Sequence, residues 1–378
     1  MGSSFKFGLI GLMGAAAVSA APAAAPETNA IGSFLAPRGA CTFSGPNGAQ
    51  QAMNSKQACS TITLSNVAVP AGVTLDLTGL NTGTHVIFEG TTTFGYKEWK
   101  GPLVSVSGTS ITVQGAAGSK LDGEGARWWD GKGTNGGKIK PAFFYAHSLT
   151  NSNINNIYIK NSPVQVFSID GAKELTLNGV TVDNLDGDSQ GGHNTDAFDV
   201  GSSNGVYIIS PTVHNQDDCL AINSGSNIHF TGAQCTGGHG ISIGSVGGRA
   251  DNIVDGVTIE NCNIKNSMNG VRVKSIYGTT GSIRGVTYKD ITLSGITDYG
   301  VVIEQDYKNG SPTGTPTGGV PITGLTINNV HGTVNSGATN VYILCAEGAC
   351  SNWSWGDVNV QGGRTSEKCK GIPGGAKC

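Results

Sequence analysis

The chain has 378 residues, of which only 13% are charged and 59 are glycine, and its formal net charge is −3. A chain of this length can bury a large core in one domain. The composition argues against a helical protein and against a disordered one, and the mildly acidic charge argues against nucleic-acid binding. The abundance of Gly, Ser, Thr and Asn is typical of many short strands joined by tight turns.

The first residues have the pattern of an export signal. Lys6 gives a short basic region, and the apolar segment 7–18 that follows is too short to span a bilayer, which takes ~20 residues. Ala17 to Ala20 is a small-residue cleavage site. We therefore predict a signal peptide over residues 1–20 and a secreted, extracellular protein.

An Ala- and Pro-rich segment follows the signal and ends at a basic residue, Arg38. This pattern predicts a pro-segment over residues 21–38, although Arg38 is alternatively an exposed arginine with no part in processing. The remaining residues, 39–378, have no break in composition that would divide them. We expect them to form a single domain that is monomeric and does not associate with membranes.

Nine cysteines are an odd number for a secreted protein. Proximity along the chain suggests four disulfide bonds and leaves Cys262 as a buried free thiol. The suggested pairs are Cys41–Cys59, Cys219–Cys235, Cys345–Cys350 and Cys369–Cys378.

A short unit in which apolar and polar residues alternate recurs along the chain, and each copy predicts a strand with one buried face. The copies start roughly 20–40 residues apart, as expected of a solenoid. They are Asn156–Ile159, Leu175–Asn178, Val206–Ile209, Ile228–Phe230, Val257–Ile259, Val286–Tyr288 and Leu325–Asn328.

These repeats favour an all-β parallel β-helix over two other architectures. A leucine-rich repeat would need a leucine spacing that is absent here, and a β-sandwich would show no stacked period. The segment Ala49–Ala58 is the best candidate for a helix, and we expect it to cap the first coil, as terminal units of solenoids require.

Three polar positions follow one another at nearly one coil. Asp218 lies 22 residues after Asp196, and His239 lies 21 residues after Asp218. If one coil takes that many residues, the three side chains stack on one face, with neighbouring strands roughly 4.8 Å apart. Each position alone would most often be an ordinary turn, but their common spacing indicates a site.

Asp217 and Asp218 are adjacent, which raises a geometric difficulty. Successive residues of a strand point to opposite faces, so both reach one groove only at a corner between strands. We predict such a corner. Asp199 lies nearby, either as a supporting partner of these carboxylates or as a turn cap.

Two cations and a phenol extend the pattern. Arg272 and Lys274 lie two residues apart and so face the same side of a strand. Arg272 follows His239 by 33 residues, and Tyr307 follows Lys274 by the same number. We therefore expect one continuous row from the carboxylates through the imidazole to the cations and the phenol.

Clustered carboxylates with an imidazole are the groups that general acid–base hydrolysis uses. Carboxylates a few Å apart do not all ionise easily, so one pKa rises and that group stays protonated. Arg272 and Lys274 could bind a carboxylate of the substrate. The carboxylates were also considered as Ca²⁺ ligands, but they lack the regular spacing of a cation loop, so no metal or other cofactor is expected.

Four motifs together make the chain resemble the fungal endopolygalacturonases of glycoside hydrolase family 28. The motifs are Asn194-Thr195-Asp196, Gln216-Asp217-Asp218, Gly238-His239-Gly240 and Arg272-Val273-Lys274, and Tyr307 matches the family tyrosine. The resemblance covers essentially the whole chain after the leader. It implies a right-handed parallel β-helix that hydrolyses α-1,4 bonds of demethylated pectin with inversion and without a metal.

The resemblance also implies a role for each of these residues. Asp217 would be the general acid, Asp196 and Asp218 would activate water, and His239 would support the protonation of the acid. The substrate contacts would come from Asn194, Arg272, Lys274 and Tyr307.

Several alternatives stay open at this point. Within the family they are exo-acting, xylogalacturonan and rhamnogalacturonan hydrolases, although the absence of a large insertion favours open groove ends and endo action. A Ca²⁺-dependent pectate lyase shares the fold, and a carbohydrate-binding solenoid would have no activity.

Overall fold

The structure is a computed structural model that describes residues 38–378. The predicted signal peptide, and all of the predicted pro-segment except Arg38, lie outside the described residues and stay predictions. The Arg38 guanidinium donates hydrogen bonds to the carbonyl oxygens of Cys59 and Thr82 and to the hydroxyl of Thr84. None of the helices in the described part of the chain is long and apolar enough to cross a membrane.

Strands make up most of the described chain. In chain order they are β1 (Gly39–Gly45), β2 (Cys59–Val69), β3 (Leu75–Leu80), β4 (His85–Glu89), β5 (Thr91–Phe94), β6 (Val104–Thr109), β7 (Thr112–Gly115), β8 (Lys120–Asp122), β9 (Phe144–Asn155), β10 (Tyr158–Lys160), β11 (Phe167–Asp170), β12 (Lys173–Asn178), β13 (Thr181–Asp183), β14 (Phe198–Gly201), β15 (Ser203–Ile209), β16 (Thr212–Asn215), β17 (Leu220–Ile222), β18 (Gly225–Thr231), β19 (Gln234–Gly237), β20 (Ile241–Val246), β21 (Ile253–Lys265), β22 (Asn269–Ile276), β23 (Ser282–Ile296), β24 (Tyr299–Tyr307), β25 (Ile322–Thr323), β26 (Thr326–Val334), β27 (Thr339–Leu344), β28 (Cys350–Ser351) and β29 (Ser354–Gln361).

The strands pair in parallel with strands of the next coil, so that each coil contributes to three long sheets. The sheet that carries the candidate site, here called the groove sheet, contains β3, β6, the start of β9, β11, β14, β17, β20, β22, β24 and β27. A second sheet runs through β12, β15, β18 and β21. A third runs through β10, β13, β16 and β19. This pairing confirms the predicted parallel β-helix.

Stacked apolar side chains fill the interior of the coils. Phe144, Phe167 and Phe198 occupy the same register position on successive strands of the groove sheet. Their ring centroids lie 5.1 Å and 5.5 Å apart, and all three are fully buried. Because strand residues alternate between faces, the residues beside this ladder point outward into the groove.

The predicted capping helix is confirmed with slightly different bounds. Helix α1 covers Gly48–Ser55 and is followed by a 3₁₀ turn over Lys56–Ala58. Ala49 and Ala52 are fully buried and belong to the main core, so the helix covers the first coil. The other short helical segments are a 3₁₀ turn over Gly125–Arg127 and α2 over Gly187–Gln190.

The recurring units fall in strands, with small differences at two of them. Asn156 and Ile157 precede β10, where Asn156 adopts a positive φ of 52°, and Leu325 precedes β26. An Asn in this conformation turns the chain before the strand begins.

All four predicted disulfide bonds are present. Cys262 is the free cysteine of the described chain and is buried. Burial raises the pKa of its thiol to about 12, so the thiol stays protonated and unreactive at neutral pH.

Candidate active site

A cleft of about 630 Å³ opens on the groove sheet. Its volume is within the range of small-molecule sites. Every functional residue predicted from the sequence lines this one cleft: Asn194, Asp196, Asp217, Asp218, His239, Arg272, Lys274 and Tyr307.

The one-coil stacking of the first three positions is confirmed. Asp196, Asp218 and His239 each lie two residues before a strand of the groove sheet, at the starts of β14, β17 and β20. Backbone hydrogen bonds join the coils here, from the Ala197 nitrogen to the Asp218 oxygen and from the Cys219 nitrogen to the Gly240 oxygen.

Asp217 and Asp218 occupy the predicted corner, in the bend between β16 and β17. Both carboxylates line the cleft, so strand alternation does not separate them. The amide of Asn215 holds the corner from inside by donating to the backbone oxygens of Thr195 and Asp218, 2.8 Å and 3.0 Å away. Asn215 is itself buried, which makes these contacts costly to lose.

Two sequence motifs lock together at this corner. The Thr195 hydroxyl donates to the side-chain oxygen of Gln216 and accepts a hydrogen bond from the Gln216 backbone nitrogen, at 3.0 Å and 2.8 Å. The Gln216 amide also donates to the Asn184 carbonyl and to Asp188. The threonine and the glutamine of these motifs therefore position the corner, while their neighbours face the cleft.

Asp217 has three hydrogen-bond partners. Its carboxylate lies 2.9 Å from Nδ1 of His239, 2.9 Å from the amide nitrogen of Asn194 and 2.8 Å from the backbone nitrogen of Asp218. Burial raises the pKa of Asp217, but His239 and Lys274 outweigh burial and lower that pKa to about 2. In turn, burial lowers the pKa of His239, but Asp217 outweighs burial and raises it.

Asp218 is tied to a different strand. One carboxylate oxygen lies 2.7 Å from Nζ of Lys274, and the other accepts a hydrogen bond from the Ser242 hydroxyl at 2.7 Å. Both partners of the ion pair are almost completely buried, with side-chain exposures of 6% for Lys274 and 3% for Asp218. The ammonium therefore compensates a charge that would otherwise be buried alone.

The positions on either side of His239 are glycines because a larger side chain would not fit there. Gly238 has φ +60° and Gly240 has φ +91°. A Cβ on Gly238 would collide with the Asp217 carbonyl oxygen, and one on Gly240 would collide with the carbonyl oxygens of the next coil. The glycines thus allow close backbone approach and fix the imidazole beside Asp217.

Asp196 and Asp199 differ from Asp217 in their protonation. Burial in the cleft, with the charges of neighbouring carboxylates, raises the pKa of Asp196 well above its usual range and that of Asp199 to about 7. The raised pKa values correspond to the expected protonated carboxyl, but they fall on Asp196 and Asp199 and not on Asp217. Asp199 lies inside β14 and lines the cleft, so the turn-cap alternative is wrong.

The predicted single row is wrong in its second half. Arg272 pairs with Ser242 on the neighbouring strand, so it lies in the column of Ala221 and Asp199, three residues along from the column of His239. The offset is 30 residues because this coil is lengthened in the turn 247–252, whereas β21 keeps the residue spacing of β18 and β19, with which it pairs. Two adjacent columns thus face the cleft.

Tyr307 is likewise out of register with Lys274. The strand partner of Tyr307 is Ile276, and Lys274 pairs with Glu304, because the ladder shifts between Lys274 and Ile276. The side chains nevertheless meet in the cleft, since the Tyr307 ring centroid lies 5.3 Å from Nζ of Lys274 and 5.5 Å from Cζ of Arg272.

Sequence reasoning missed two residues that hold charged groups of the site. Ser242 donates to Asp218, and Glu304 accepts a hydrogen bond from Arg272 at 3.4 Å. Burial raises the pKa of Glu304, with Arg272 acting against it. The signal for Ser242 was its position on β20, the strand that pairs with β17 after the Asp218 corner, where Ser242 lies beside Ala221.

A metal is poorly suited to this arrangement. One ligand atom each of Asp217, Asp218 and His239 lies within 4.8 Å of the others, which is close enough to share a cation. However, the Lys274 ammonium and a donating Asn194 amide already satisfy these carboxylates. The Lys274 ammonium lies 2.7 Å from the Asp218 carboxylate and would repel a metal cation bound to that carboxylate.

The fold and the cleft together match a known class of glycoside-bond hydrolases. Residues 59–378 match the glycosyl hydrolases family 28, and the chain belongs to this family. The family resemblance predicted from the motifs is thereby confirmed.

Fungal enzymes are among the proteins to which the chain is similar. The chain is 76% identical over 378 residues, all of both chains, to the polygalacturonase of Penicillium griseoroseum. It is 67% identical over 369 residues, 96% of each chain, to the endo-polygalacturonase of Sclerotinia sclerotiorum. Among solved structures, endopolygalacturonase I from Stereum purpureum complexed with two galacturonate is 39% identical, with a TM-score of 0.78 over 88% of this chain and 99% of that chain.

Proposed function

We propose that this protein is a secreted endopolygalacturonase, which hydrolyses internal α-1,4 bonds between galacturonate units of demethylated pectin. The observation that carries the proposal is the juxtaposition, in one cleft, of a carboxylate cluster with the cations Arg272 and Lys274. A polymer with a carboxylate on every sugar complements such a pair. Family membership and the names of the fungal relatives support the same substrate.

The proposed acid is Asp217, with His239 as its proton reserve. The two groups share a hydrogen bond of 2.9 Å, and the proton rests on the imidazole because Asp217 has the lower pKa. As the glycosidic oxygen gains charge in the transition state, the imidazolium proton passes from His239 to Asp217 and from Asp217 to the glycosidic oxygen, which leaves His239 neutral and Asp217 ionised. Asn194 orients the carboxylate through its amide.

The proposed base is formed by Asp218 and Asp196. Lys274 keeps Asp218 charged at 2.7 Å, so Asp218 is ready to accept a proton from water. The raised pKa of Asp196 makes it a strong proton acceptor whenever it is ionised. Water activated by these carboxylates, with protonation by Asp217, gives a single displacement with inversion at the anomeric carbon.

Substrate binding is assigned to the cationic end of the cleft. The Arg272 guanidinium accommodates a sugar carboxylate by a two-pronged contact, and Lys274 adds charge. The Tyr307 ring, which lies against both cations, positions the sugar beside them. No cofactor takes part in this scheme.

One assay tests the activity. The protein is incubated with polygalacturonate and a chelator while reducing ends, ultraviolet absorbance and viscosity are followed together. We expect reducing ends without absorbance, no effect of the chelator, and an early fall in viscosity while few bonds have been cut. A slow viscosity fall would indicate exo action, chelator-sensitive absorbance would indicate a lyase, and no reducing ends would indicate a binding solenoid.

Two further measurements test the finer statements. Proton NMR of the first products reports the anomer formed, and retention would contradict the proposed single displacement. N-terminal sequencing of the protein from the medium of a secreting host tests export and processing. We expect the mature chain to begin after residue 20 or after residue 38, and an intact Met1 would contradict both.

A further inference from the structure

A pair of polar side chains lies behind the corner, outside the cleft. The pair consists of Asp188 in α2 and His214 in β16, a strand of the third sheet. The His214 ring donates from Nε2 to one oxygen of the Asp188 carboxylate at 2.7 Å, and the Gln216 amide donates to the other oxygen at 2.8 Å. The pair therefore reaches the corner through Gln216, the residue before Asp217.

Strand alternation divides the two residues that precede Gln216. Asn215 points into the interior and is buried, whereas His214 lies on the outward face of β16 and is partly exposed. Asn215 holds the corner from the interior through the backbone oxygens of the two coils. Outside, His214 meets the turn that carries α2. The chain just before the two carboxylates is thus held on both faces.

The turn that carries α2 folds closely around the Gln216 amide. The Asn184 carbonyl oxygen accepts a hydrogen bond from the amide nitrogen at 2.7 Å. Gly187 and Gly192 lie against the same group, and a Cβ on either glycine would come within 2.5 Å of the amide oxygen. The turn then leads directly into the cleft motif that begins at Asn194. One short stretch therefore supports the corner and continues into the cleft.

Hydrogen-bond chemistry gives Asp188 a defined task. The two ends of a glutamine amide have the same shape, but the oxygen accepts hydrogen bonds and the nitrogen donates them. The nitrogen of Gln216 faces the Asn184 carbonyl and the Asp188 carboxylate, which only accept, and the charged acceptor forms the stronger bond. The amide oxygen is left facing Thr195, whose hydroxyl donates to it at 3.0 Å. Asp188 therefore holds the amide in the orientation that the Thr195 contact requires.

We propose that Asp188, held in place by His214, is a positioning residue for the reaction. It orients the Gln216 amide, and the amide together with Thr195 fixes the backbone of the corner. The proposal rests on the proposed function, because the corner carries the groups assigned there to acid and base. The cationic end of the cleft lies on other strands, so a disturbed corner affects the rate of the bound complex more than substrate binding.

Substitution of Asp188, with kcat and KM measured on polygalacturonate, tests the proposal. Asp188→Ala removes the acceptor, and we expect kcat to fall about three- to thirtyfold while KM stays within about twofold of the native value. Asp188→Asn keeps an oxygen for Gln216 and offers an amide nitrogen to the His214 ring, so kcat should return to within about twofold of the native value. A substitution that only loosened the fold would lower the melting temperature without this split between kcat and KM.

His214 provides an independent pair of variants. His214→Phe keeps a ring but removes the hydrogen bond to Asp188, and we expect kcat to fall about two- to tenfold. His214→Gln places an amide nitrogen close to the position of Nε2 and should behave as the native protein. If Asp188→Ala does not fold, this pair decides.

Asp255 offers a matched control. Its carboxylate forms an ion pair with Arg284 at 2.8 Å, and its side chain is 45% exposed, against 48% for Asp188. It lies on β21 of the second sheet, away from the corner. Asp255→Ala therefore removes an equally exposed carboxylate, and its kcat and KM should equal those of the native protein.

An unchanged kcat in Asp188→Ala, or a loss in Asp188→Asn as large as in Asp188→Ala, overturns the proposal. A second reading needs no turnover. In the amide NMR spectrum of isotope-labelled protein, the side-chain signals of Gln216, identified by their absence in Gln216→Leu, should shift in Asp188→Ala and stay in place in Asp255→Ala. Absence of cleavage by the native protein refutes the proposed function, whereas Gln216 signals that do not move in Asp188→Ala refute the positioning role only.

Discussion

The cleft is built from two kinds of backbone, and they are fixed in different ways. Arg272, Lys274 and Asp199 lie within strands, where the parallel ladder sets both position and facing. Asp217 and Asp218 lie in a bend outside the regular strand pairing, where their backbone oxygens accept single hydrogen bonds from His239 and Ala197 of the neighbouring coils. The strand group places charged side chains on a rigid surface, while the corner group brings adjacent carboxylates to one side at the expense of regular pairing.

The corner adds side-chain hydrogen bonds to these backbone contacts. Asn215, Thr195 and Gln216 hold it from inside through buried contacts. The Cys219–Cys235 bond ties the residue after Asp218 to β19, next to the His239 turn. In the chain-entropy description, closing a loop of 16 residues contributes roughly 3 kcal/mol. The proposed reacting groups are therefore positioned by hydrogen bonds and a disulfide bond, and substitutions there should act differently from those on strands.

The largest expected effect is on the rate of the corner acid. Asp217→Asn keeps the shape and the hydrogen bond from Asn194 but cannot donate a carboxyl proton, so we expect kcat to fall by about 10²–10⁴-fold. Asp199→Asn, on the strand, is the matched control and is expected to cost far less. Initial rates on polygalacturonate and circular dichroism of both variants check this. Comparable losses would mean that the strand carboxylate shares the chemistry.

The second effect concerns the ion pair between Asp218 in the corner and Lys274 on the strand β22. Lys274→Met keeps the apolar stem but removes the ammonium from Asp218, leaving a buried charge without its partner. We expect the free energy of unfolding to fall by about 3–5 kcal/mol. The control is Arg284→Met, which breaks the ion pair with Asp255, where the side chains are 54% and 45% exposed.

Urea unfolding of both variants measures the difference. The exposed pair should contribute less than about 1 kcal/mol. Equal losses of unfolding free energy for Lys274→Met and Arg284→Met would show that the buried Asp218–Lys274 ion pair stabilises the protein no more than an exposed one.

The third effect concerns the hydrogen bonds between Thr195 and Gln216 that hold the corner, compared with an ordinary strand residue. Thr195→Val is nearly isosteric but removes the hydroxyl that joins the two motifs, which leaves the Gln216 backbone nitrogen and side-chain oxygen without that partner. We expect a loss of about 1–3 kcal/mol in unfolding free energy, together with a lower kcat. Thr258→Val, on the outward face of β21, should change neither. An unchanged kcat in a destabilised Thr195→Val protein would show that the Thr195–Gln216 hydrogen bonds stabilise the fold without affecting catalysis.

The short coils that carry Asp196, Asp218 and His239 were more predictable from sequence than the longer coils that follow them. Alternation of apolar and polar residues identified the strands, and the spacing of Asp196, Asp218 and His239 gave the stacking because those coils are short and regular. The same reasoning failed for Arg272 and Tyr307, since the longer coils shift the register by an amount that spacing alone does not reveal.

The protonation of the corner was not predictable from sequence. Mutual repulsion of carboxylates suggests that one of them stays protonated, but not which one. The answer depends on His239 lying 2.9 Å from Asp217, and on burial of Asp196 and Asp199 away from any such partner. Ser242 and Glu304 were missed for the same reason, because their roles come from contacts across coils.

The smallest expected effect is a shift in pH dependence. The pKa of His239 is raised by Asp217, so the proton shared by this pair is retained above pH 6.5, the ordinary value, and is lost as the pH rises through the raised pKa. In His239→Gln the proton resides on Asp217 alone. The alkaline limb of kcat should then move to lower pH by about one unit or more. Asp199, with a pKa of about 7, titrates in the same range and is the competing source of that limb. Rate profiles of His239→Gln and Asp199→Asn separate the two groups: a limb that moves only in Asp199→Asn would place the proton reserve on the strand carboxylate and not at the corner.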